Sequence, residues 1–240
     1  MTLNLGHRTE LKGKLMKAII LTDDTKSQLP KHRSWSKKFG RGSGIVKDPS
    51  VNNLLQKENF TIPTNDLENE ERYKKILFEF VRPAKNMFAG RFTEIRSFED
   101  KLKNLIEVEI LIVSGRYGLI NGDMEIIPYD YSIDKKANLK DFDEKHEFLP
   151  KLKTHLSGST YLIILLPKIF IKYFMKQGFF EELPYDLKII IVSSKEFEEP
   201  LEKYQNIILL ERKGVSRLRN QDSDRILSLV QISTLISEKN

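Results

Sequence analysis

Apolar residues along the chain fall into short blocks of strand length, separated by stretches with helical spacing. The strand-like blocks are Lys17 to Leu21 (KAIIL), Ile110 to Val113 (ILIV), Thr160 to Leu166 (TYLIILL), Leu187 to Val192 (LKIIIV) and Ile207 to Leu210 (IILL). Continuous apolar runs rich in β-branched residues suit strands covered on both faces, as in a parallel sheet. Between them, Asp66 to Arg82 reads as a helix with Leu67, Tyr73, Ile76, Leu77 and Phe80 at near-helical spacing and acidic residues toward its start. Phe92, Ile95, Phe98, Leu102 and Leu105 mark a second helix. The charged stretch Asp134 to Ser157 reads as a third, bounded by Pro150. Ile169 to Phe174 gives a fourth, stopped by Gly178, and the last starts near Ser223 with Asp222 or Ser223 as its cap. Ile226, Leu229, Val230 and Ile236 line its apolar face. This alternation predicts an α/β fold with a mostly parallel central sheet flanked by helices. Residues 17–240 read as one such domain, 1–16 as a polar arm, and 30–59 as a long basic insertion after the first strand.

Composition narrows the function classes. The net charge of +6 is compatible with an anionic partner. The absence of cysteine excludes a disulfide framework, thiolate-bound zinc and a thiol nucleophile, and suits a reducing cytoplasm. No apolar run approaches the roughly 20 residues that span a bilayer, and MTLNLGHRTELKGKLMK lacks the apolar core of a signal peptide. A cytoplasmic protein with no membrane partner is expected. No metal or cofactor is expected either: His146 and His155 are not at a two-ligand helical spacing, and both read as surface histidines. Glycines 40, 42 and 44 are not followed by the Gly-Lys-Ser/Thr of a phosphate-binding loop. The basic run KHRSWSKKFGRGSG around Trp35 and Phe39 has the chemistry to grip a nucleic-acid backbone and stack on bases, or is a solvated loop.

The densest chemistry lies in Ile110 to Tyr131, ILIVSGRYGLINGDMEIIPYDY. The apolar strand breaks at Ser114-Gly115-Arg116-Tyr117-Gly118, where glycine permits positive φ or close backbone approach. A loop at the carboxyl end of a strand is the usual place for a site in an open α/β sheet. Arg116, Tyr117, Tyr129 and Asp130 are therefore candidates, with a tight turn over packed aromatics as the alternative. Other candidate anion contacts are Thr22 and Lys26 after the first strand, Lys85 and Arg91 near a helix start, and Lys213 and Arg217 before the last helix.

The segment SGRYGLINGDMEIIPYD resembles the signature of the YaaA-like proteins, in which Ser-Ala/Gly-x-Tyr-Gly-Leu follows an apolar strand and Ile-x-Pro-Tyr-Asp follows a short polar spacer. PAKNMFAGRF, before the preceding helix, is similar to a second motif of that family, in the matching order and at the matching distance. Thr22 and Lys26 occupy matching positions after the first strand, and KGVSRLR is similar, though diverged, to a Lys-Gly-Ala-Arg-Gly-type sequence before the last helix. The resemblance spans Lys17 to Val230, is firm at Pro83 to Tyr131, and departs in the insertion after Lys26. It implies an α/β fold with a positively charged cleft, nucleic-acid binding and, for the best-known member, a role in oxidative-stress defence. It brings no settled reaction.

Three functional expectations follow. In the first, a nucleic-acid-binding protein gathers Lys26, Lys85, Arg91, Arg116, Lys213 and Arg217 around phosphate, with Thr22, Tyr117, Gly118 and Tyr129 completing the contact. In the second, an enzyme of the N-glycosidase or hydrolase type acts on a nucleotide or nucleobase. Asp130 is then general base or carbocation stabiliser, Ser114 and Thr22 touch the ligand, and Arg116 clamps the transition state. In the third, the basic loops dock a protein partner.

Overall fold

The computed structural model describes residues 16–28, 49–131, 133, 138–212 and 217–237. In chain order the elements are β1 (Lys17–Asp23), α1 (Pro49–Lys57), α2 (Glu70–Ile76), β2 (Arg82–Pro83), α3 (Ala84–Met87), α4 (Phe92–Leu102), β3 (Glu107–Ser114), β4 (Gly118–Asn121) and β5 (Glu125–Ile126). There follow α5 (Leu139–His146), α6 (Phe148–Leu156), β6 (Tyr161–Ile164), α7 (Lys168–Lys176), β7 (Lys188–Ser193), α8 (Glu198–Leu201), β8 (Ile207–Glu211) and α9 (Asn220–Ser237).

The expected apolar blocks form one six-stranded sheet in the order β4-β3-β1-β6-β7-β8. Every neighbouring pair is parallel except β3 and β4. The fold is thus α/β, with a mostly parallel central sheet flanked by helices. Because side chains alternate across a strand, β1 sends Ile19 and Leu21 to one face and Ala18 and Ile20 to the other, all fully buried. The first face is covered by Leu139, Phe148, Leu152, Phe170, Phe174 and Leu201 of α5 to α8. The second is covered by Met87, Phe92, Ile95, Phe98, Ile226 and Val230 of α3, α4 and α9. Each such side chain contributes about 1.5–3 kcal/mol by leaving water. A satellite core of Val51, Leu55, Tyr73, Phe80 and Ile127 seats α1 and α2.

The strand order positions the site. From β1 the chain crosses to β3 on one side, then returns to β6 on the other side of β1. Connections that leave in opposite directions open a crevice at the carboxyl ends, where ligands of such sheets bind.

Several local expectations are corrected. Asp66 to Arg82 is not one helix. Leu77 leaves helical geometry at φ −104°, ψ 26°, so the chain breaks between α2 and a 3-10 turn at Phe78–Phe80. That break turns Phe80 into the satellite core and leaves Phe78 exposed. Asp134 to Ser157 breaks at Glu147, which is left-handed (φ 52°), giving α5 and α6. Pro150 does not end a helix; it stands in the first turn of α6, where its missing N–H removes no helical bond. Helix α9 starts at Asn220, so Asp222 and Ser223 lie inside it, and the Asp222 carboxylate reaches back to the Arg219 N–H (3.3 Å). His146 is buried against the Phe142 ring rather than on the surface, and His155 faces the Glu109 carboxylate at 3.1 Å. Residues 1–15 of the arm and 30–48 of the insertion, with Trp35 and Phe39, lie outside the described residues; the described part of the insertion, 49–59, holds α1. Among the described residues no helix is long and apolar enough to cross a membrane.

Candidate functional site

A cavity of about 1070 Å³ opens at the carboxyl ends of the strands on either side of the switch point. Its wall includes Asp23, Asp24 and Lys26 after β1, Pro167, Lys168 and Lys172 after β6, Ser193 and Ser194 at the end of β7, and Arg212 after β8. Val113, Ile133, Ile169 and Phe170 supply apolar surface. Its size is at the upper end for a small-molecule site, typically about 300–1,000 Å³. The sheet sets these groups in place. Asp24 N–H donates to Val113 O (3.1 Å), extending the β1–β3 ladder, and Arg212 N–H donates to Ser193 O (2.6 Å), tying the exits of β7 and β8 together.

Asp24 is the most constrained acid of the wall. It is 8% exposed, and its Oδ2 accepts from the Gly115 N–H (2.9 Å) and the Tyr129 hydroxyl (2.7 Å). The Tyr129 oxygen also lies 2.8 Å from Ser114 Oγ, which accepts from the Tyr117 N–H (3.1 Å). Gln28 clamps the Tyr129 backbone from both sides, donating to its carbonyl (2.6 Å) and accepting from its N–H (3.0 Å). Burial pushes the Asp24 carboxyl up from 3.8 to about 6, against the stabilising bonds from Gly115 and Tyr129. Burial and the neighbouring Asp24 charge likewise hold the Tyr129 phenol well above its ordinary value. The result is a carboxylate ionised at neutral pH but poised close to it, on a cavity wall. That is the condition for acid–base work.

Asp23, beside it, is held by Arg217 at 3.0 Å, and burial raises its carboxyl despite that cation. Arg217 Nη1 also donates to Thr22 Oγ1 (2.7 Å) and Asp23 O (2.5 Å), and Nη2 to Asp24 O (2.9 Å). Arg217 therefore pins the end of β1 and presents the two carboxyls to the cavity. Thr22 is fully buried as one of its acceptors.

The central stretch supplies support for the cavity more than wall. Arg116 is fully buried, and all five of its N–H donors are engaged. Nε and Nη2 donate to Glu70 Oε2 (3.3 and 2.8 Å), Nη1 to Asp66 Oδ1 (2.7 Å) and Thr64 O, and Nη2 to Asp66 O (3.4 Å). Although burial pushes the Asp66 carboxyl up, bonds from Tyr73 and Arg116 hold it down at about 2. Arg116 is thus an anchor between the β3–β4 turn and α2, and the expected transition-state or phosphate clamp is corrected: no donor is left for a ligand. Tyr117 donates to Glu70 Oε1 (2.9 Å) and packs edge-on against Tyr129. Gly118 has φ +77°, and a Cβ there would sit 2.8 Å from His146 Cβ. The close approach its glycine permits is to a side chain of α5, not to a ligand.

Lys85 is taken by Asp123 (2.6 Å) and Glu99 (3.4 Å). Asp130 is exposed and outside the cavity wall, with its backbone N–H on Pro63 O (2.8 Å); the buried Asp24 replaces it as the candidate base. Lys26 is exposed at the cavity and Arg91 is exposed at the start of α4. Lys213 lies outside the described residues. The structure therefore joins Thr22, Arg217, Ser114 and Tyr129 into one framework around Asp24, with Lys26 at its edge. It does not gather the expected six cations around one point.

Asp24, Ser194 and Arg212 carry a signal in the sequence. Each stands directly beyond a strand-like apolar run. The carboxyl-end rule, applied to every strand, marks them. Among the described residues no group of three or more His, Cys, Asp or Glu is placed to hold a metal ion. No family model, no curated protein and no solved structure matches this chain.

Proposed function

We propose that the protein is an enzyme acting on a nucleotide, free or within a nucleic-acid strand, by hydrolysis of the N-glycosidase type. The observation that carries this reading is the Asp24 carboxylate, buried on the cavity wall, held by Gly115 and Tyr129, and raised to about 6. In the step, water adds to the sugar C1′ as the C1′–N bond breaks. Asp24 takes the proton from water, the base leaves as its N–H form, and the proton returns through solvent. The Asp23 carboxylate, on the same wall, stabilises the positive charge that develops on the sugar. A nucleic-acid strand is kept in this proposal as one source of the nucleotide, with Lys26 exposed at the wall and Lys168 and Lys172 there sharing Glu196 (3.7 and 3.5 Å). The motif resemblance to the YaaA-like proteins is kept as part of this proposal, with the Ser114–Tyr129 pair as its contribution to the site.

The test is release of free base from nucleoside 5′-phosphates and from single-stranded oligonucleotides, for the wild type and Asp24→Asn. General-base removal is expected to cost about 10²–10⁴-fold in rate, with the fold intact because the amide oxygen still accepts both bonds. Turnover by Asp24→Asn at the wild-type rate, or no base release from any of these substrates, overturns the reading. Oligonucleotides cleaved in preference to free nucleotides would identify the strand as the source.

A further inference from the structure

We infer that Arg212 and Ser194 form a phosphate-monoester subsite in the cavity. The inference rests on reading that cavity as a substrate site, and it names the part of the substrate held away from Asp24.

Arg212 lines the cavity, and its Nε and Nη2 are buried from water with no hydrogen-bond partner among the described residues. Those two nitrogens share one edge of the planar guanidinium, the fork that grips paired oxygens of phosphate or carboxylate. A desolvated cationic donor edge without an acceptor is rare in folded proteins and calls for one. Burial accordingly lowers the Arg212 pKa. The neighbouring carboxylates are already engaged. Asp23 holds Arg217 at 3.0 Å, and Glu94 Oε2 accepts from the N–H groups of Arg217 (2.8 Å) and Leu218 (3.1 Å). Two carboxylates and two arginines act electrostatically on Arg212, Asp23 most strongly, then Arg217, Glu94 and Arg91, and none of them occupies its Nε–Nη2 edge.

Ser194 Oγ, on the same wall, is also buried without a hydrogen-bond partner among the described residues. The Arg212–Ser193 backbone bond of 2.6 Å holds the two segments side by side. A phosphate monoester matches this set. Two of its oxygens take the guanidinium fork, a third takes the hydroxyl, and its dianionic charge meets the Arg212 cation; Lys168 and Lys172, elsewhere on the wall, share Glu196 (3.7 and 3.5 Å). A carboxylate would occupy the fork and leave the hydroxyl unpaired.

The experiment is calorimetric titration of the full chain with inorganic phosphate, in the wild type, Arg212→Gln, Arg212→Lys, Ser194→Ala and Asp24→Asn. Saturable binding is expected, weakened about 10–100-fold in Arg212→Gln. Arg212→Lys restores it only in part, because an ammonium brings charge without the fork. Asp24→Asn keeps it. The apo melting temperature of Arg212→Gln is expected to change little, since neither buried nitrogen has a partner among the described residues. Should that variant nevertheless fail to fold, Ser194→Ala carries the test with a smaller loss of affinity. Absence of phosphate binding by the wild type, unchanged affinity in Arg212→Gln, or acetate competing as strongly as phosphate overturns the subsite. None of these results bears on base release by Asp24→Asn, so the subsite and the acid–base reading fail separately.

Discussion

Replacing Asp24 by asparagine should make the protein more stable while it removes activity. The carboxyl is 8% exposed, and its pKa in the fold is about 6 against an ordinary 3.8, with burial the largest cause. At about 1.4 kcal/mol for each tenfold change in proton affinity, the ionised form costs the fold about 3 kcal/mol. Since the folded value lies above the unfolded one, that cost is full above pH 6 and is relieved as pH falls from about 6 toward 3.8. Asparagine keeps an oxygen for the Gly115 N–H and the Tyr129 hydroxyl without the buried charge. The expected gain at about pH 7.5 is about 2–3 kcal/mol, or about 5–10 °C in Tm for a chain of this size. Urea unfolding at about pH 7.5, pH 6 and pH 4.5, with matched m-values, measures it. The gap between variant and wild type should close as the pH falls. A variant no more stable than wild type at about pH 7.5, or a gap that does not change with pH, would refute the claim that Asp24 is a strained, buried carboxylate. Stability gained where activity is lost is the mark of a group kept for function at the expense of the fold.

Tyr129→Phe removes a donor that favours ionised Asp24, so the acid limb of the pH profile of kcat/KM should move upward from about 6; a limb that stays put refutes the role given to that hydroxyl. Gly118→Ala meets both an unfavourable φ of +77° and a 2.8 Å contact with His146 Cβ, and should cost about 2–4 kcal/mol in urea unfolding; a loss under about 1 kcal/mol would mean that α5 yields freely. Arg116→Met removes the cation facing Asp66 and Glu70 and should cost about 2–4 kcal/mol, less than for a fully buried pair because Asp66 is 24% exposed. Phosphate affinity of the folded Arg116→Met protein, measured by calorimetry, should not change, since Arg116 is not on the cavity wall.

The sequence by itself determined the fold class. The five apolar blocks are the five parallel strands, because a strand buried on both faces has no polar position to spare. It also marked Thr22, Ser114, Tyr129 and Arg217, which do meet around Asp24. The helix breaks at Leu77 and Glu147 were not legible, since single residues leave helical geometry there to satisfy packing that periodicity does not record. Nor was the division of labour among the charged groups. In sequence Arg116 and Arg212 are both arginines following a β-rich run. Only the tertiary structure brings Asp66 and Glu70 to Arg116 from some 50 residues away (|i−j| 50 and 46), filling every donor. It leaves one edge of Arg212 with no partner among the described residues. It likewise buries Asp24 and exposes Asp130, although both carboxylates follow apolar runs. Which charge is spent on the fold and which is left for a ligand depends on long-range contacts and desolvation, and neither is a property of the local chain.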